Sequence, residues 1–453
     1  MNDLPFEGSK MNRAMNAVRT CAALIPLGMI FGASQASAGP CDIYQEAGTP
    51  CVAAHSTTRA LFAAYAGNLY QVRRKSDNTT KDVGVLGAGM EANSATQEAF
   101  CANTTCTISL IYDQTSNHND LAKGPGGGFP VADLEANAVT AKIKLNGRTV
   151  YGVYSTGAFE PSAGVGYRNN KTKGMATGDQ AETIYMVAGG KHYNQWCCFD
   201  YGNAETNTKD NGPATMEALY FGASTQWGRG SGNGPWVMGD LEDGVFAGES
   251  FTAPASNTSL SFDYVTGMLK GNSGNSWALK AGNAQAGALT TMYSGARPKG
   301  YSPMKKEGAI VLGIGGDNSH TAEGTFFEGC ITSGVATDAT DAAIQANIVS
   351  AGYGSLTIGI SDRQHPGDRE WSVRQNPSNG DVSVDFATGE VSQVRLRALD
   401  LQGREVASLR DGPLAAGEHR EIWNTRSTRT GIYAIAMDVD GVRTWSRSVV
   451  VGR

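Results

Sequence analysis

The feature that most constrains this chain is a texture rather than a motif. From residue 39 to about 359, short apolar runs alternate with clusters of Gly, Asn, Asp and Ser. Runs of four to eight alternating or β-branched residues between turn formers read as strands. Residues 107–112, 141–145, 149–154, 260–265 and 309–314 have this character. One segment, 338–351, has helical spacing, with Ala342, Ile344, Ile348 and Val349 apolar and Thr337, Asp338 or Thr340 available as N-cap. Glycine is 58 of 453 residues and charged residues are only 18%, which argues against a heptad or helical-bundle protein. The apolar share of 40% is ample for a core and argues against wholesale disorder. The fold class expected is all-β.

The ends differ from the middle. Arg13 and Arg19 precede a short apolar run at 21–31, and Ala36 and Ala38 place small residues before a cleavage point. Residues 1–38 therefore read as a secretory signal; the run is short for a membrane span. Asp3 and Glu7 fit an n-region poorly, which leaves residues 1–10 open as a mis-called extension with Met11 the true start. From Ser361 onward there are 13 arginines, no lysine and no cysteine. Residues 360–379 read as a linker, with His365-Pro-Gly and Asn376-Pro as turn signals. Regularly spaced strand-like runs fill 380–453, the pattern of a small immunoglobulin-like sandwich. The expected order is signal 1–38, large domain 39–359, linker 360–379 and small domain 380–453.

Net charge is −6 with no basic cluster, so nucleic acid and anionic membrane are poor partners and a neutral glycan or peptide fits better. No G-x-S-x-G elbow is present, and the glycines at 124–128 lack the following Lys and Ser/Thr of a phosphate loop. Two Gly-flanked acidic loops remain. One carries Asp240, Glu242 and Asp243, with Asp240 and Glu242 on one face if the strand continues. The other presents Asp317 in a tight turn. Two carboxylates on facing strands form a glycosidase pair when suitably separated. Acidic turns are also commonly solvated, capped or calcium-bound. Trp196, Trp227 and Trp236 are candidate sugar-stacking surfaces or core residues.

Seven cysteines remain after the signal. Cys41/Cys51 and Cys101/Cys106 can each close a small loop, leaving Cys330 as the odd, buried-looking thiol. The adjacent Cys197 and Cys198 form a strained vicinal disulfide, pair elsewhere, or bind a metal; no second Cys pair or His pair stands nearby to complete a metal site.

At these residues the chain resembles the family 54 glycoside hydrolases, the α-L-arabinofuranosidase B type. The resemblance is carried by Gly39-Pro-Cys-Asp-Ile-Tyr, Phe100-Cys-Ala-Asn-Thr-Thr-Cys, Gly166-Tyr-Arg-Asn-Asn, Cys197-Cys-Phe-Asp-Tyr-Gly-Asn-Ala-Glu, Tyr293-Ser-Gly-Ala-Arg-Pro and Leu312-Gly-Ile-Gly-Gly-Asp-Asn-Ser, across about 39–355. It implies a jelly-roll-like β-sandwich and a retaining, exo-acting enzyme. The implied substrates are terminal arabinofuranosyl groups on arabinan or arabinoxylan. Glu242 is implied as nucleophile and Asp317 as general acid/base, with no metal or organic cofactor. Asp240, Asp243, Gly244, Trp227 and the backbone of Gly316 are implied around the sugar, over a Cys197–Cys198 ledge. The pairs Cys41–Cys51 and Cys101–Cys106 match the family's disulfides. Asp243 and Gly244 depart from the two asparagines usual there, which keeps open a non-catalytic arabinan-binding surface protein or a preference for β-D-xylosides. The tail resembles a type IX secretion sorting domain, through Asn376-Pro-Ser-Asn-Gly and Leu401-Gln-Gly-Arg-Glu-Val, and implies contact with secretion machinery and an extracellular or cell-surface location.

Overall fold

The computed structural model describes residues 38–354, 372–375, 380–388, 391–400, 405–439 and 442–451. The expected signal, apart from Ala38, and most of the expected linker lie outside the described residues. The chain divides into two compact units, Met1–Ile358 and Gly359–Arg453. No helix among the described residues is long and apolar enough to cross a membrane.

The first unit is built on two large antiparallel sheets. One has eight strands, in the order Ala286–Gly295, Trp277–Asn283, Tyr264–Gly271, Glu182–Tyr193, Gly324–Thr332, Arg148–Ser155 and Ala141–Leu145, with Cys51–Ser56 added against Gly324–Thr332. The other has ten, in the order Val245–Phe246, Trp236–Asp240, Glu217–Gly222, Asp200–Ala204, Ala309–Leu312, Tyr167–Asn169, Leu121–Lys123, Cys106–Ile111, Asn68–Arg74 and Thr80–Gly84. Strand alternation decides which side chains meet between the sheets. Tyr201, Leu219, Phe221, Val237, Ile310 and Leu312 face the main core, where Leu269, Trp277 and Ile184 of the other sheet are also buried. Their neighbours Ala204, Ala218, Tyr220, Trp236, Met238 and Val311 face the opposite way and are buried in separate small clusters. The ten-stranded sheet is thus covered on both faces, and its outer face carries the site.

A buried ion cluster links the sheets. Lys306 lies 3.2 Å from Glu182 of the eight-stranded sheet and 2.7 Å from Glu217 of the ten-stranded one. Arg297 pairs with Glu217 at 2.7 Å. The helix Asp338–Ser350 packs Ile344 and Ile348 into the core, and the Thr337 hydroxyl accepts from the Thr340 amide as N-cap. Asp338 and Asp341 in its first turn suit the helix dipole and both bind Lys270 and Lys280.

The small unit has a three-stranded sheet (Ser372–Gln375, Val382–Thr388, Gly417–Trp423) and a four-stranded sheet (Glu405–Leu414, Ser392–Leu399, Gly431–Val439, Val442–Val451). Val384, Phe386 and Trp423 of the first pack with Leu396, Ile435 and Met437 of the second. A sandwich with one shared core results.

Three local expectations need correction. The run 260–265 is not a strand from its start: Leu260 donates to the Pro235 carbonyl outside any ladder, and pairing begins with Tyr264–Gly271. Two seven-residue helices, Pro40–Glu46 and Ser94–Phe100, are too short to show periodicity; the first is set by Pro at its start and by Asp42, which accepts from the Gly39 amide at 2.7 Å. Ser372–Gln375, inside the expected linker, pairs with Val382–Thr388 as a strand.

Candidate active site

The strand Trp236–Asp240 delivers the first acidic loop. Asp240 is its last residue, opposite Ala218, and points to the outer face beside Tyr220. The strand stops there, so Glu242 does not share Asp240's face through the pleat as expected. Instead residues 241–244 form a tight turn: the Leu241 amide donates to Gly244 O at 3.0 Å, and Glu242 and Asp243 adopt φ of 63° and 54°. The Glu242 amide donates to Asp240 Oδ1 at 3.2 Å, which ties the Asp240 carboxyl to the backbone of the turn.

The second loop leaves the strand Ala309–Leu312 in the same sheet. Asp317 is half-buried; its Oδ1 accepts from the Ser319 amide at 2.8 Å. Asn318 and His320, which follow Asp317, both bind Asp133, at 3.1 and 3.0 Å, and so pin the loop. Gly316 stands where the loops meet: a Cβ there would fall 2.0 Å from Glu205 Oε2 and 2.8 Å from Glu242 Oε2. Arg168, from Tyr167–Asn169, donates to Gly316 O at 2.7 Å and to Glu205 O, tying the Asp317 loop to the end of Asp200–Ala204.

These parts enclose a cavity of about 370 Å³. Glu242 and Asp317 share it with Asp240, Asp243, Gly244, Gly316, Trp227, Cys197 and Cys198. All the residues expected at the site are therefore brought to one pocket. Cys197 and Cys198 are bonded to each other across a cis peptide, with Cα atoms 3.0 Å apart, so neither a metal pair nor separate partners applies. Cys198 Sγ lies 2.9 Å from Asp240 Oδ2, and the disulfide packs with Tyr220, Trp236 and Met238. Cys41–Cys51 and Cys101–Cys106 are also formed, and Cys330 is a buried free thiol. Of the three tryptophans, Trp236 is core; Trp227 is half-buried against the disulfide cluster; Trp196 stands exposed at the mouth, edge-on to Phe159 at 5.2 Å between ring centres.

Sequence reasoning gave no role to Asp200, Glu205, Asp210, Arg168 or Phe159. Asp200 and Glu205 sit in the segment that follows the cysteine pair, where a strand with acids at buried positions was the available signal. Burial, then neighbouring carboxylates, raises Glu242 far above the usual carboxylate range. Burial raises Asp240 to about 7. Asp200 is pushed well up, first by burial and then by Asp240, which favours its protonated form.

A pocket lined by five carboxyl groups, with aromatic rings and a disulfide as its apolar surface, fits a glycoside hydrolase site. Residues 40–354 match the family described as "Alpha-L-arabinofuranosidase B, catalytic", and the chain belongs to that family. It is 53% identical over 358 residues to the α-L-arabinofuranosidase B of Aspergillus oryzae, covering 77% of this chain and 69% of that one. It is 53% identical over 355 residues to an arabinofuranosidase/B-xylosidase of Trichoderma koningii, covering 75% and 69%. A solved arabinofuranosidase complexed with arabinofuranosyl-alpha-1,2-xylobiose superposes with a TM-score of 0.67 at 45% identity, covering 84% of this chain and 74% of that one. The protein is an α-L-arabinofuranosidase, and the reading of the scaffold as a non-catalytic binding protein is set aside.

Proposed function

We propose that the protein is an exported, retaining, exo-acting α-L-arabinofuranosidase in which Glu242 attacks the anomeric carbon and Asp317 serves as acid and then base. Asp317 protonates the leaving oxygen as Glu242 forms the glycosyl ester; Asp317 then takes a proton from the water that releases arabinose. The observation that carries this reading is the convergence of the two acidic loops on one pocket, with Asp240 beneath and the disulfide as an apolar ledge. The relative bound to arabinofuranosyl-xylobiose supports arabinoxylan side chains as substrate, with arabinan as the other source of the same group.

The test is hydrolysis of 4-nitrophenyl α-L-arabinofuranoside by the protein beside Glu242→Gln and Asp317→Asn. Both variants should lose about 10³-fold or more in kcat, and NMR of the first-formed sugar should show retained configuration. An inverted product overturns the nucleophile role. A second substrate, β-D-xylosides, is favoured by the Trichoderma koningii relative's double description; relative kcat/KM on the two aryl glycosides decides. The expected signal at 1–38 and the tail's resemblance to a sorting domain support delivery outside the cell, and deletion after about Asp362 should leave activity intact while blocking surface delivery.

A further inference from the structure

Glu205 is the carboxyl group of this site with no assigned task. It follows the strand Asp200–Ala204 and is fully buried beside Gly316. Its Oε1 is 2.5 Å from the Thr215 hydroxyl, which also lies 2.6 Å from Gly212 O. Its Oε2 is buried and meets no donor among the described residues. That oxygen and Glu242 Oε2 converge on the same point, the space a Gly316 Cβ would fill. Two ionised carboxylates cannot stand there together out of water, so one proton is held between them. Around the pair are Asp240 and Asp243 from the Glu242 turn, Asp200 behind Asp240, Asp317 from the opposite loop, Asp210 at the mouth, and Tyr301. The one cation close by among the described groups is Arg168, whose guanidinium is committed to the carbonyls of Gly316 and Glu205. Burial penalises charge most where water is most remote, and Glu205 is 0% exposed against 7% for Glu242; the Thr215 hydroxyl and Arg168 favour an ionised Glu205, but after burial the largest push on Glu242 is the charge of Glu205 itself, which a proton on Glu205 removes.

We propose that Glu205 is a neutral carboxylic acid that donates its O–H to Glu242, holding the attacking carboxylate ionised and aimed at the pocket. Glu205 is thus a positioning residue, and its role rests on the reading of Glu242 as nucleophile. Its proton stays on Glu205 throughout the cycle. The hydrogen bond is strongest while Glu242 is anionic and weakens once the ester forms.

Two substitutions separate this role from a merely structural one. Glu205→Gln keeps a donor that cannot ionise; kcat on 4-nitrophenyl α-L-arabinofuranoside should stay within about threefold of the parent, with the acid limb of kcat/KM at or below the parent's pH. Glu205→Leu removes the donor; kcat should fall about 30-fold or more, with the acid limb moved to higher pH and KM changed less than kcat. Loss in Glu205→Gln as deep as in Glu242→Gln, or a parental acid limb in a folded Glu205→Leu, overturns the proposal. Should Glu205→Leu fail to fold, the Glu205→Gln activity decides alone. Labelling the parent with an arabinofuranosyl-configured cyclic sulfate, followed by peptide mapping, keeps the two readings apart. Label on Glu242 leaves the Glu205 variants testing this proposal only; label on Glu205 removes both.

Discussion

Gly316→Ala is the sharpest single perturbation of this site. The residue's backbone is not in the left-handed region, so alanine meets no torsional penalty there. The whole effect comes from space. Its Cβ would stand 2.0 Å from Glu205 Oε2, 2.8 Å from Glu242 Oε2 and 2.9 Å from Met216 Sδ, all inside ordinary contact. These atoms are the ends of side chains, so they move rather than split the fold, and the stability cost should be about 1–3 kcal/mol. Clearing the shorter contact means shifting a carboxyl group by roughly 1 Å, and a displacement of that size at a reacting group costs about 10²-fold in rate, or about 2.7 kcal/mol of barrier. The assay is kcat and KM on 4-nitrophenyl α-L-arabinofuranoside beside thermal unfolding of the same preparation. The expected variant is folded and about 10²-fold slower. A variant with parental kcat would refute the claim that Gly316 exists to let Glu205 and Glu242 meet.

Three more expectations follow from the same coordinates. Asp200 holds its proton in the folded state but loses it near pH 4 when unfolded, so the unfolded state binds fewer protons and stability falls as pH rises from about 4 towards 7 and beyond; Asp200→Asn should flatten that slope in chemical denaturation, and parallel curves would refute it. Gly244→Asn restores a side chain the family usually carries, but its Cβ would lie 2.3 Å from the Phe246 ring and 3.0 Å from Tyr301 Oη; with two packed rings in the way it should destabilise by about 1–3 kcal/mol, and an unchanged urea midpoint counts against this. Trp196→Ala removes an exposed ring at the mouth, so KM for an arabinofuranosyl xylo-oligosaccharide should rise severalfold with little change in kcat on the aryl substrate; equal effects on both would place Trp196 at the sugar being cleaved.

The sequence by itself determined the all-β class, because strand runs and turn formers are local signals that burial then reinforces. The run at 141–145 matches the observed strand end to end. It also determined which residues were rare enough to matter: the Cys197–Cys198 pair, the acidic turn around Glu242 and the glycine-framed Asp317. Only the tertiary structure decided how those residues work together. Asp240 and Glu242 are paired by a turn with positive φ, not by strand alternation, and no pattern of apolar residues announces where a strand stops. Glu205 and Asp200 looked like ordinary acids in a strand segment. The upward shift of Asp200 depends on burial and on carboxylates brought to it by strands and loops distant in the chain, and that of Glu205 on burial alone. Charge state inside a protein is a property of the assembled surroundings, through desolvation and neighbouring charge, and a linear sequence carries neither.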